Sequence, residues 1–169
     1  VVKNHPELKT VKDIIERPDL FPHPEDSSKG GMMTCPAGWN CQLSTNNLFR
    51  AFNMEEKGWK LIDPGSAAGL DGAIAKASTR NENWFGYYWT PTSVVGKYGL
   101  VKVPFGVDYD DDNWHNCIVK PEKECADPKP TSWVKSVVET VVTDNFMNNS
   151  GIASDFIKNR TYPGEIMNQ

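Results

Sequence analysis

Trp59-Lys-Leu-Ile-Asp-Pro-Gly-Ser-Ala-Ala-Gly-Leu-Asp-Gly-Ala-Ile-Ala-Lys-Ala77 is the stretch that decides the fold class. Residues 59–63 read as a short strand, ended by Pro64-Gly65. Ser66 is a good helix N-cap, and Leu70, Ala73, Ile74 and Ala77 then fall on one helical face. Gly65, Ala67, Ala68, Gly69 and Gly72 would let such a helix pack closely on a sheet. A phosphate-cradling loop is the alternative use of those small residues, but the Gly-Lys-Ser/Thr ending it needs is absent. A strand that turns directly into a packed helix is the unit of an α/β sheet.

Working outward, the same alternation continues. Residues 84–90, Trp-Phe-Gly-Tyr-Tyr-Trp-Thr, read as a strand ended by Pro91, with Tyr88 on the opposite face from Tyr87 and Trp89. Thr92 starts another short helix, and residues 100–103 another strand. An irregular segment covers residues 106–130, residues 136–142 alternate like a strand, and residues 145–158 look helical. Upstream, Thr10 caps a short helix through Glu16, with Val11, Ile14 and Ile15 on one side. Residues 18–31 read as a surface loop, and Leu43, Leu48, Phe49 and Phe52 follow near-helical spacing. No internal repeat is visible.

The 169 residues suit one domain or two small lobes. A net charge of -4 argues against a nucleic-acid partner, which would want a basic face. No apolar run is long enough to span a bilayer. No basic start leads into an apolar stretch, so no signal peptide is expected, and the Val-Val beginning fits a processed product or an excised piece.

The four cysteines form two close pairs, Cys35/Cys41 and Cys117/Cys125. A zinc site of four thiolates would prefer tighter knuckles than either spacing provides, so two local disulfides are expected. Disulfides imply an oxidising compartment, the periplasm or a cell exterior. Four buried free thiols in a cytosolic protein are the other reading.

Enzymatic signatures are thin. His5 and His23 each precede Pro in polar loops, where a solvated surface role is expected. His115 follows the acidic run 108–112, but Asn113 and Val119 stand where an EF-hand loop needs Gly and Glu. A solvated acidic loop is the reading there, with weak adventitious cation binding at most and no metal site. The chain has no nucleophile elbow and no HExxH, so neither catalytic residues nor a cofactor are expected.

The six Trp are more informative. Cys35-Pro-Ala-Gly-Trp-Asn-Cys41 holds Trp39 at the tip of a clipped polar loop, just before an expected helix. The backbone N–H groups of Asn40, Cys41 and Gln42 would be orphan donors that favour an anion. Trp89 stands where a strand of an open α/β sheet delivers side chains to a ligand crevice, although a core aromatic is an equal reading. Rigid aromatic faces attract quaternary ammonium groups. A small zwitterion with a methylated cation and a carboxylate would satisfy both halves of the loop.

Cys35–Cys41, then Asp-Pro-Gly-Ser-Ala-Ala-Gly-Leu-Asp at 63–71, then Gly-Tyr-Tyr-Trp-Thr-Pro at 86–91, occur in an order that resembles the glycine betaine/proline betaine substrate-binding proteins of ABC transporters. The similarity runs through nearly all of the chain and is densest between Asp26 and Lys102. It implies a partial two-lobe protein of the type II periplasmic binding class, with a mixed sheet flanked by helices. Residues 1–128 would be the second lobe with its crossover, and residues 129–169 a return segment of an incomplete first lobe. By the same resemblance, Trp39 and Trp89 are walls of an aromatic box, and the N–H groups of Asn40 and Cys41 hold the carboxylate. The family often has Gly where Asn40 stands, and the Cys117/Cys125 pair lies outside the shared pattern. The implied partners are a small zwitterionic quaternary ammonium ligand and an ABC permease membrane subunit, outside the cytoplasmic membrane. From another class, a disulfide-stabilised extracellular domain that contacts a protein or glycan through exposed Trp fits the same residues.

Overall fold

The computed structural model describes residues 4–137, 139–161, 163 and 166. Helix α1 (Val11–Ile15) starts where Thr10 and Asp13 form a reciprocal capping box. Its Val11, Ile14 and Ile15 are buried. After a 3₁₀ turn at Pro18–Leu20 come strands β1 (Pro22–His23) and β2 (Asp26–Met33). Helix α2 (Asn40–Ala51) leads to strand β3 (Trp59–Ile62), and helix α3 (Ala67–Arg80) follows directly.

The three strands lie in the order β1-β2-β3, with β1 antiparallel and β3 parallel to β2. The sheet is therefore mixed, as expected of this α/β chain. Its centre falls in a stretch expected to be loop, and the correction has a physical cause. Asp-Ser-Ser-Lys-Gly-Gly-Met-Met carries none of the β-branched and aromatic residues that mark strands. Pairing on both edges imposes the extended form instead. A Cβ on Gly30 would sit 2.8 Å from Pro18 Cβ and 3.0 Å from the Trp59 ring, and one on Gly31 would lie 2.6 Å from Ile62 Cδ1. Glycine lets β2 lie under its neighbours.

Trp59 anchors the core. It is 1% exposed, donates its indole N–H to the Ile15 carbonyl at 2.8 Å, and packs edge-on against Phe85. Leu48 and Phe49 of α2 and Phe52 just past its end join Ile14, Ile15 and Phe21 around it. Burial of these large side chains is the main favourable term, about 1.5–3 kcal/mol for each fully buried one. On α3, Leu70, Ile74 and Ala77 are buried, and the Ser66 hydroxyl accepts from Gly69 N–H.

Helix α4 (Ser93–Tyr98) is capped by Thr92. The segment expected to be irregular holds α5 (Asp111–Asn113), which widens through Trp114–Ile118, and a 3₁₀ turn at Glu122–Glu124. Disulfides join Cys35 to Cys41 and Cys117 to Cys125. The second loop is fastened to α2. Asn47 Nδ2 is shared among the carbonyls of Cys117, Ile118 and Lys120 at 2.8–3.3 Å, and Arg50 donates to those of Cys125 and Ala126.

Four other expectations are corrected. Residues 100–103 form no strand, and neither do residues 136–142 among those described, Val138 lying outside them. The expected helix at 145–158 is two, α6 (Asp144–Asn149) and α7 (Ile152–Asn159), parted at Gly151 with φ 52°. His23 is not a solvated loop residue but 4% exposed, its Nδ1 accepting from the Glu25 N–H.

Candidate functional site

The Cys35 loop is built from its buried end outward. Cys35 and Pro36 are buried, and the Cys35–Cys41 disulfide spans Cα atoms 5.7 Å apart. Thr34 and Thr45 share a 2.6 Å hydroxyl contact beneath the loop, and Thr45 Oγ1 also donates towards the carbonyls of Cys41 and Gln42. At the tip, Gly38 takes φ 85°, and its N–H donates to Gln42 Oε1. Trp39 becomes the N-cap residue of α2 in extended conformation, with no side-chain cap. The helix thus begins three residues earlier than the Leu43 spacing indicates.

Because Trp39 offers no capping oxygen, the N–H groups of Asn40 and Cys41 have no acceptor among the described residues. They are first-turn donors at the positive end of a twelve-residue helix. Gln42 N–H returns to the Trp39 carbonyl at 2.9 Å.

Trp89 reaches the same place from the sheet. Gly86 forms a single parallel bridge with Met33, through Met33 N–H to Phe85 O at 3.0 Å and Tyr87 N–H to Met33 O at 2.9 Å. The expected strand at 84–90 is reduced to that one bridge. Met33 also pairs with Ile62 of β3, so Gly86 extends the sheet beside β2 on the side where β1 lies. Beyond it the chain leaves the ladder. The Trp39 and Trp89 ring centroids are 5.4 Å apart with planes inclined at 58°. Trp39 remains 42% exposed.

Leaving the ladder also breaks strand alternation. Tyr88, expected on the far face, stacks on Trp89 at 4.5 Å and 15°, and its hydroxyl donates to Asp71 Oδ1 on α3 at 2.6 Å. Burial, then the hydrogen bond to Asp71, push the Tyr88 phenol up to about 12, against an opposing hydrogen bond with Thr92. Burial raises Tyr87 as well. Both phenols therefore stay neutral near pH 7. Tyr87 stacks on Trp89 at 6.3 Å and touches Trp133 at 5.4 Å, and Trp133 meets Trp114 at 5.2 Å. Sequence reasoning does not find Tyr88 as a neighbour of Trp89, nor Asp71 and Trp133 as the partners of Tyr88 and Tyr87. The only local signal is the density of aromatics at 84–89.

The acidic loop is occupied with helix starts and local contacts. Asp110 accepts from Asn113 N–H, Asp112 from the Asn116 amide, and Asp111 from the Tyr109 hydroxyl. Among the described residues no group of three His, Cys, Asp or Glu could hold a metal ion, and no helix is long and apolar enough to cross a membrane. Two cavities, of 240 and 370 Å³, lie by Lys12 and Phe52 and by Ile152 and Phe156, away from the Trp pair. Neither cavity is lined by Trp39, Asn40, Cys41 or Trp89.

A comparison with curated proteins finds no match. The family model described as the substrate binding domain of the ABC-type glycine betaine transport system matches residues 1–169. On that match, the chain belongs to this family of ABC transporter substrate-binding domains.

Proposed function

We propose that this domain captures a small zwitterion bearing a quaternary ammonium group and a carboxylate, and presents it to a membrane permease outside the cytoplasmic membrane, the periplasm being the expected compartment. The cation rests against Trp39 and Trp89, and the carboxylate accepts from the N–H groups of Asn40 and Cys41. The observation that carries this reading is the juxtaposition of the 5.4 Å Trp pair with unpartnered first-turn donors on one loop. A cation set against both rings would lie within about 6 Å of each centroid, the range of a cation–π contact. No bond is made or broken, in keeping with a family that binds its solutes.

In this reading residues 1–128 form one lobe of a type II binding protein and residues 129–169 return towards the other. Closure of the lobes removes water from the site and strengthens both contacts, since each is weak in high dielectric.

Calorimetric titration of the full-length protein with glycine betaine tests the reading. Trp39→Ala and Trp89→Ala each cost about 1–2 kcal/mol of binding. Unchanged affinity in both variants refutes it. Trp fluorescence that responds to sugars or a protein, and not to betaines, favours an interaction domain instead, the reading to which the 42% exposure of Trp39 would then belong.

A further inference from the structure

We propose that Asp71 and Tyr88 are positioning residues for the ligand site: the hydrogen bond between them holds the Tyr88 ring as a backstop that fixes the Trp89 face beside Trp39. This rests on the reading that Trp89 contacts the ligand. The need for a backstop comes from the backbone. The Gly86–Met33 bridge is the last sheet pairing before Trp89, so no ladder holds the indole in place. Its orientation is left to its ring neighbours Trp39, Tyr87 and Tyr88.

Of these, Tyr88 makes the closest and most nearly parallel contact, at 4.5 Å and 15°. It is also fastened elsewhere in the fold. Its hydroxyl donates to Asp71 on α3, a helix held by the Ser66 cap and by buried Leu70 and Ile74. Trp39, by contrast, is placed by the disulfide loop and the start of α2. The spacing of the two Trp rings is therefore set by two different helices, and the Asp71–Tyr88 contact is the link on the Trp89 side. A stack without that link would keep its area but lose its reference to α3.

The test is glycine betaine titration of the full-length protein carrying D71A, D71N or Y88F, each in the parent and in a W89A background. D71A and Y88F weaken binding about three- to tenfold, the effect of one lost hydrogen bond. D71N stays within about twofold, because an amide oxygen accepts the same bond. In the W89A background D71A adds no further loss. The near-ultraviolet circular dichroism of the Trp pair changes in D71A and is restored in D71N. Parent-like affinity in both D71A and Y88F overturns the proposal, and so does an equal D71A loss with and without Trp89, which would mark a general structural role. Y88F, which removes one oxygen and keeps the ring, decides the matter if D71A does not fold. Unchanged affinity in W89A itself overturns the ligand reading beneath the proposal. A normal W89A loss with silent D71A and Y88F overturns the positioning alone.

Discussion

Replacing Gly86 by Ala tests how the sheet reaches the site. A Cβ at this position would lie 2.5 Å from the Met33 carbonyl oxygen, 2.6 Å from Met33 Cβ and 3.0 Å from its Cα. None of these atoms is the far end of a flexible chain, so the two backbones must part. Relief to the 3.4 Å of ordinary contact requires a shift of about 0.9 Å. The bridge bonds of 2.9 and 3.0 Å would then stretch to nearly 4 Å and cease to be hydrogen bonds. Two such bonds contribute about 1 kcal/mol each. Loosening the Phe85 ring from Trp59, now edge-on at 5.6 Å, adds up to about 1 kcal/mol. The expected loss is about 2–3 kcal/mol. Gly72→Ala is the matched control: on α3 nothing lies within 4 Å of the place its Cβ would take, and the change gains about 0.5–1 kcal/mol. Urea unfolding of both variants in the full-length protein, followed by Trp fluorescence, gives shifts of opposite sign. A G86A midpoint and slope equal to the parent's refute the bridge, and with it the route by which Trp89 is delivered.

Asn47, 2% exposed, gives its amide to carbonyls of the Cys117 loop, so Asn47→Ala costs about 1–3 kcal/mol in the same assay, and Asn47→Asp is no better because a carboxylate cannot donate. A parent-like midpoint for N47A would show that the Asn47 amide does not hold the loop, leaving that to its disulfide and Arg50. The Thr10 hydroxyl, first, and the Thr10 N–H hold the Asp13 carboxyl below its ordinary 3.8. A depressed folded-state value means stability that is full above the unfolded value and lost as pH falls through the folded one. Asp13→Asn therefore flattens the acid limb of the stability profile below about pH 4, read from unfolding midpoints across pH. An acid limb as steep as the parent's would exclude the capping box as a source of the pH dependence.

What is legible in the sequence is what local chemistry decides. Thr10, Ser66 and Thr92 start helices because a hydroxyl three residues ahead of an N–H needs no tertiary partner. Strand β3 and the turn into α3 are equally visible, and so are the two cysteine pairs. The departures concern strand pairing above all. Strand β2 has a composition that speaks against a strand, and only its two neighbours make it one. Residues 84–90 and 136–142 have the opposite character: the side chains favour a strand, yet Gly86 alone finds a pairing partner among the described residues. Val137 and Val141 there are 69% and 88% exposed. At the site, Trp39 and Trp89 stand out by position in the chain. Tyr88 does not, because strand alternation stops holding past the last paired residue.

The end of the ladder is what makes the aromatic group possible. Had residues 84–90 continued as a strand, Tyr88 and Trp89 would point to opposite faces, and no stack between them would form. Only one of the two could then meet Trp39. Ending the ladder at Gly86 frees the next three side chains from the period of two, so Tyr87, Tyr88 and Trp89 gather together. The cost is the loss of backbone pairing as a restraint, and the Tyr88 hydroxyl on Asp71 supplies a replacement from outside the sheet. The Cys35 loop solves the same problem differently, with a disulfide and the Thr34–Thr45 contact beneath it. Both sides of the Trp pair thus sit where regular structure stops, and each is fixed by side-chain bonds to a helix. It is this arrangement that sets the Trp39–Trp89 pair at the start of α2.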